Sequence, residues 1–153
     1  MPLRLTEPGR YHAIADFTTG GKRYALATVL RVPGSSSAVA LPAPRTTATT
    51  DGFTVTLKHG ALTAGKEAAL TFTVTKNGAP VTELQPYLGA SGHLVALHHP
   101  DIAYSHVHPT ATDLSTGSIT FAADFAAPGA YRMFLQFRTG GKLHTAAFTV
   151  AVG

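Results

Sequence analysis

The chain contains no cysteine and no tryptophan, which excludes disulfides, thiolate metal sites and a thiol nucleophile. Charge is scarce as well: only 13% of the 153 residues are Asp, Glu, Lys or Arg, too few for a disordered acidic or basic tail. Twelve Lys and Arg against eight Asp and Glu give a formal charge of +4, but the basic residues are scattered. They form no phosphate-tracking stripe, so no nucleic-acid partner is expected. No Lys or Arg occurs between Lys76 and Arg132, whereas Glu83, Asp101, Asp113 and Asp124 do, and such a stretch favours a cation over a phosphate. No run approaches the roughly 18 apolar residues of a spanning helix. The segment from Met1 to Glu7 lacks the apolar stretch of an export signal, so neither a membrane span nor a signal peptide is expected.

At 44% hydrophobic, the chain has ample material for one packed domain, and its pattern is that of strands. Phe53-Thr54-Val55-Thr56-Leu57 and Leu70-Thr71-Phe72-Thr73-Val74-Thr75 alternate apolar residues with threonine, the period of two of a half-buried antiparallel strand. Similar runs cover 92 to 98, 103 to 108, 118 to 125, 130 to 138 and 143 to 152. Turn signals separate them at Ala64-Gly65, Asn77-Gly78, Pro100-Asp101, Thr116-Gly117, Pro128-Gly129 and Gly140-Gly141. No stretch has a helical period. The expected fold is therefore all-β, an antiparallel two-sheet sandwich of the immunoglobulin-like or cupredoxin-like kind.

The sequence also repeats itself. At an offset of 120 positions, Pro8, Gly9, Tyr11, Phe17, Thr19, Gly20, Gly21, Lys22, Ala27 and Val32 are identical to Pro128, Gly129, Tyr131, Phe137, Thr139, Gly140, Gly141, Lys142, Ala147 and Val152. Both copies read as strand, Gly-Gly turn, strand. Residues 1–33 are accordingly expected to form an extra N-terminal β-hairpin, the remnant of a preceding repeat. Residues 34–50, rich in Ser, Pro and Thr, read as a linker, and 51–153 as the sandwich domain. An isolated hairpin is marginal, which leaves two readings open. The hairpin packs on the sandwich or on a second copy of the chain, giving a homodimer; or it is one more edge of a larger sheet system.

Chemistry concentrates between Gly92 and Pro109, where five of the eight histidines lie: His93, His98, His99, His106 and His108. On a strand, residues two apart project to one face about 6.5 to 7 Å apart, so His106 and His108 can close on one ion while Val107 faces away. If position 97 pairs with 104, then 95 pairs with 106 and 93 with 108, which brings His93 onto the same face; a slip of one residue removes it. Imidazole ligands suit Cu(II) or Zn(II), copper first and zinc next. Further coordination could come from His144, Met133 or Asp101. Affinity at such a site falls as pH drops through about 6.5, the ordinary imidazole value. Histidines 98 and 99 sit in what reads as an exposed turn and are taken as solvated, with His12 and His59 incidental.

Enzymatic motifs are missing. Ser35-Ser36-Ser37 falls in the linker, Gly89-Ala90-Ser91-Gly92 has no strand-turn-helix setting, and neither H-E-x-x-H nor a paired-carboxylate motif occurs. The expectation is a non-enzyme.

The run Leu84-Gln85-Pro86-Tyr87-Leu88-Gly89-Ala90-Ser91-Gly92-His93-Leu94-Val95-Ala96-Leu97, with Asp101-Ile102-Ala103-Tyr104-Ser105-His106-Val107-His108-Pro109, resembles secreted or membrane-anchored actinobacterial proteins built of tandem β-sandwich repeats. More loosely, it is similar to YtkA-like and periplasmic copper-chaperone domains. The resemblance covers 51 to 153 as a whole repeat and 7 to 32 as the end of the repeat before it. It implies a secreted or extracytoplasmic protein that handles metal through His93, His106 and His108. The chain departs from the pattern in lacking the signal sequence and most of the first repeat, in having His98-His99 at a usually charged turn, and in lacking a methionine-rich segment, which counts against Cu(I). The two functional readings are thus a non-catalytic Cu(II) or Zn(II) module in extracytoplasmic metal handling, and an Ig-like structural or interaction module whose histidines are architectural.

Overall fold

The computed structural model describes residues 3–37 and 39–153, and for Arg23 and His106 the backbone alone. Eleven strands follow in order: β1 (Gly9–Thr19), β2 (Lys22–Val32), β3 (Thr47–Thr50), β4 (Phe53–His59), β5 (Glu67–Lys76), β6 (Ala79–Pro80), β7 (Gly92–His99), β8 (Tyr104–Asp113), β9 (Ser118–Asp124), β10 (Gly129–Thr139) and β11 (Lys142–Val152). No helix occurs among the described residues, so none is long and apolar enough to cross a membrane. The chain divides into two compact units, one ending at Ala40 and the other running Leu41–Gly153.

In the second unit the strands are hydrogen-bonded in the order β11-β10-β7-β8-β9-β5-β4-β3, with β6 added beside β5. Strand β8 is the corner. It pairs with β7 only at Ala96↔Ser105 and Leu97↔Tyr104, then with β9 from His106↔Asp124 onward. The result is a sandwich, as the alternation requires: β11, β10 and β7 form one layer and β9, β5, β4 and β3 the other. At the far side the backbone N–H of Arg45 donates to Thr149 O at 3.1 Å, drawing the segment before β3 to β11.

Threonine alternation fixes which residues go inside. Val55, Leu57, Leu70, Phe72 and Val74 of β4 and β5 are buried, as are Ile119 and Phe121 of β9 and Tyr131, Met133, Leu135 and Phe137 of β10. The layers meet through aromatic edges: Phe72 contacts Phe148 at 5.3 Å and Phe121 at 5.9 Å, and Phe53 meets Phe137 at 5.5 Å. The outward threonines bond across strands, Thr71 to Thr120 and Thr73 to Ser118, the cross-strand pairing that β-branched hydroxyl residues favour.

Two expectations are revised. The segment 34–50 is not linker throughout, because β3 lies within it and Ala48 is buried. Asp51-Gly52, with φ of 49° and 79°, makes the left-handed two-residue turn that joins β3 to β4. Nor is the N-terminal hairpin an edge of the larger sheet: β1 and β2 form a two-stranded sheet of their own.

The repeat holds at the level of backbone pairing. The ladder from Gly9↔Val32 to Thr19↔Lys22 has the same register as that from Gly129↔Val152 to Thr139↔Lys142. Both turn through a glycine pair with positive φ, 56° and 74° at Gly20 and Gly21, 57° and 75° at Gly140 and Gly141. Both also begin with a tyrosine that donates its hydroxyl to a carbonyl four residues upstream, Tyr11 to Glu7 O at 2.8 Å and Tyr131 to Ala127 O at 2.9 Å. Such tyrosine corners mark strand entries in Ig-like sandwiches.

Candidate functional site

The histidine-rich segment lies where β8 leaves one layer for the other. Strand β7 alternates inward Leu94 and Ala96 with half-buried His93, Val95 and Leu97; β8 alternates buried Ser105 and Val107 with half-buried Tyr104 and His108. The expected register is realised where the two strands touch, since Leu97 does pair with Tyr104. It does not continue into the expected pairs 95–106 and 93–108. From there β7 is held by β10, with His93 opposite Gln136, while β8 is held by β9, with His106 opposite Asp124 and His108 opposite Ala122. Core burial explains the split: Val107 packs between the layers, and a strand serving two layers cannot stay hydrogen-bonded to one neighbour.

The side chain of His106 lies outside the described residues. Among those described, no three His, Asp or Glu side chains gather as a metal-holding group. The backbone nevertheless sets a carboxylate row beside His106, because its partner Asp124 is in turn the partner of Glu67 on β5, and both carboxylates are exposed.

The supplementary ligands expected from sequence are packed or hydrogen-bonded within the fold. Met133 is fully buried in the core and faces the interior from β10, as Ala96, its partner on β7, does. His93 alternates with Ala96 to the other face, so the sheet separates it from Met133. Asp101, in the β7–β8 loop, is engaged: its Oδ1 accepts from His98 Nδ1 at 2.7 Å and from the Ala103 N–H at 3.2 Å. These bonds, the Ala103 amide foremost, hold its carboxyl below the usual range. His98 is therefore no solvated turn residue. Its Nε2 lies 3.3 Å from Pro128 O, and its ring packs on Tyr131 at 4.9 Å. Gly129 makes room for it, since a Cβ there would sit 2.8 Å from Nε2.

His144 forms a second, separate arrangement that spacing could not reveal. The ring is buried on the inner face of β11, stacked on Phe137 at 5.3 Å and tilted against Phe53 at 4.7 Å. Its Nδ1–H donates to Asp51 Oδ2 at 2.7 Å. That bond, with Lys142 Nζ at 3.9 Å, lowers the Asp51 pKa. The pair borders a cleft of about 520 Å³ also lined by Lys76, Thr82, Glu83 and Thr139. Asp51 fixes the ring, in the way a carboxylate orients a histidine whose second nitrogen is used elsewhere.

A search among curated proteins found no match. Among solved structures, the soluble domain of PmoD from Methylocystis sp. ATCC 49242 (Rockwell) is similar at 16% sequence identity with a TM-score of 0.49, over 70% of this chain and 97% of that one. Residues 48–153 match the family model of a domain of unknown function, DUF8832, which takes in the sandwich from β3 onward and thus most of the chain: this protein belongs to the DUF8832 family.

Proposed function

We propose that the chain is a non-catalytic module that binds Cu(II) or Zn(II) through His93, His106 and His108 and works in metal handling outside the cytoplasm. The observation that carries this reading is the pairing of β7 with β8 at Leu97↔Tyr104, which starts the two histidine-bearing strands side by side before β8 passes to β9. His106 and His108 flank the buried Val107 on β8. The nearby carboxylates of Asp124 and Glu67 make the surroundings electrostatically suited to a divalent cation. Imidazole nitrogen would supply the coordination, and the half-buried setting of His93 and His108 would limit the water that competes with it. The extracytoplasmic setting rests on the family resemblance of the histidine-bearing segment.

The test is calorimetric titration of Cu(II) and Zn(II) into the native chain and into a His106→Ala/His108→Ala variant, at neutral and mildly acidic pH. The native chain should bind, more weakly in acid, and the variant should lose the binding. Equal weak binding by both would establish the alternative, an Ig-like structural or interaction module. The hydrogen-bonded, ring-packed state of His98 and His144 favours that alternative, since it shows this chain using imidazoles as architecture.

A further inference from the structure

Thr149 alternates on β11 with inward Phe148 and Val150 and so points away from the core, yet it is only 1% exposed. Two arginines flank it. On one side Arg132, its partner on β10, donates from Nη1 to Thr149 Oγ1 at 3.0 Å. On the other side, along the edge of the layer, the Arg45 N–H donates to Thr149 O at 3.1 Å. Burial, and after it the charge of Arg45, lowers the Arg132 pKa, so the two guanidinium groups act on each other as like charges. Among the described residues neither has a carboxylate partner.

Thr149 borders a cleft of about 360 Å³, lined also by Arg45, Thr46 and His59 and closed by Pro44 and Ala151. No Asp or Glu lines it among the described residues. His59 is fixed in the wall, since its Nδ1–H donates to Gly60 O at 2.6 Å. The Thr149 hydroxyl accepts from Arg132 and has no acceptor for its own hydrogen among the described residues, so a buried O–H donor is left over. Two cations and a hydroxyl donor are thus gathered without an anion. Like charges brought together repel, and an anion between them turns the repulsion into attraction. One guanidinium fork already takes both oxygens of a carboxylate, so a second guanidinium and a hydroxyl call for further acceptor oxygens. A tetrahedral oxyanion has them.

We propose that this cleft binds a tetrahedral oxyanion, a phosphate or sulfate group, held by the guanidinium groups of Arg45 and Arg132 and by the Thr149 hydroxyl. Arg132 is a positioned donor: Nη1 is fixed on Thr149 and the guanidinium lies over the Phe134 ring at 5.6 Å, so little side-chain freedom is lost when the anion arrives. Arg45 is exposed and closes on the anion from the rim. The volume falls within the roughly 300–1,000 Å³ of small-ligand clefts, enough for the free ion or for the monoester of a small molecule. None of these residues is among the ligands of the proposed metal site, and neither site needs the other.

Titration of inorganic phosphate, sulfate and acetate into the metal-free chain at constant ionic strength, over roughly 0.1 to 30 mM, tests it through the arginine Nε–H and Thr149 amide NMR signals. Phosphate and sulfate should shift the Arg45, Arg132 and Thr149 signals saturably, and acetate should bind at least about tenfold more weakly. Arg45→Gln, a change to an exposed side chain that leaves the fold intact, and Arg132→Gln should each weaken phosphate binding about fivefold or more, and Thr149→Val about threefold. Lys142→Gln removes the same charge at the opposite end of β11 and should leave binding unchanged. Phenyl phosphate that binds several-fold tighter than phosphate assigns the site to monoesters, and equal binding assigns it to the free ion. Three results overturn the proposal: no saturable shift in the native chain, a loss that Lys142→Gln shares with the arginine variants, or acetate that binds as tightly as phosphate.

Discussion

His144 Nδ1 donates to Asp51 Oδ2 across 2.7 Å, joining residues 93 positions apart. The bond ties the β3–β4 turn to the inner face of β11, and so links the two layers at the end of the sandwich where the Gly140-Gly141 turn lies. The imidazole is held on both flanks, by Phe53 and Phe137. In the N-terminal hairpin the same position is Tyr24, stacked on Phe17. An aromatic ring is what the hairpin geometry asks for there; the imidazole nitrogen is specific to the sandwich unit.

His144→Ala removes a buried ring and its hydrogen bond, and should cost about 2 kcal/mol or more in urea unfolding. His144→Tyr, which keeps a ring able to stack as Tyr24 does, should recover a large part of that loss. Equal stability of the native and alanine proteins would show the arrangement to be unimportant to the fold.

Acid should unfold the sandwich late. Asp51, Asp101 and Asp113 all titrate below the ordinary 3.8 in the folded chain. The main cause is the His144 hydrogen bond for Asp51, the Ala103 amide for Asp101 and the Ser115 hydroxyl for Asp113. A carboxyl whose folded pKa is depressed contributes stability above its unfolded value, and that contribution is lost as pH falls through the folded value. Urea midpoints should therefore be level above about pH 5 and decline below 3.8. Asp51→Asn should flatten the decline; an unchanged slope would contradict the assignment.

The two tyrosine corners should differ in weight. Tyr131 is 1% exposed and its hydroxyl also accepts from the Ala127 N–H at 3.3 Å, so Tyr131→Phe should cost about 1 kcal/mol of sandwich stability. Tyr11→Phe breaks an exposed bond to Glu7 in the other unit, and should leave the main unfolding transition where it is.

Metal titrations can separate core from site. Met133→Leu conserves volume in the interior and should leave Cu(II) affinity within about twofold, because the sheet stands between Met133 and His93. His93→Ala should weaken binding by about tenfold or more. A copper site lost with Met133 but indifferent to His93 would refute the ligand set.

Much of the fold is legible in the chain because its causes are local. Threonine alternation in β4 and β5, and the Asn77-Gly78 and Gly140-Gly141 turns, act within a few residues, and the strands fall where these signals put them. The same chemistry would have revealed β3, since Asp51-Gly52 is a two-residue hairpin signal hidden by a Pro- and Ser-rich neighbourhood. The histidine segment was readable as far as its first pairing, Leu97 with Tyr104. Beyond that point local pattern is silent, because whether β8 stays with β7 or joins β9 depends on where Val107 finds a core.

By itself, then, the sequence determined the strands, their turns and the 120-residue repeat, since side-chain alternation and glycine's freedom at positive φ are properties of neighbouring residues. Only the tertiary structure decided that β8 changes layers, that Met133 and His144 face inward, and that His144 meets Asp51. Those outcomes follow from burying one contiguous apolar core, and a core is assembled from residues that sequence distance does not relate.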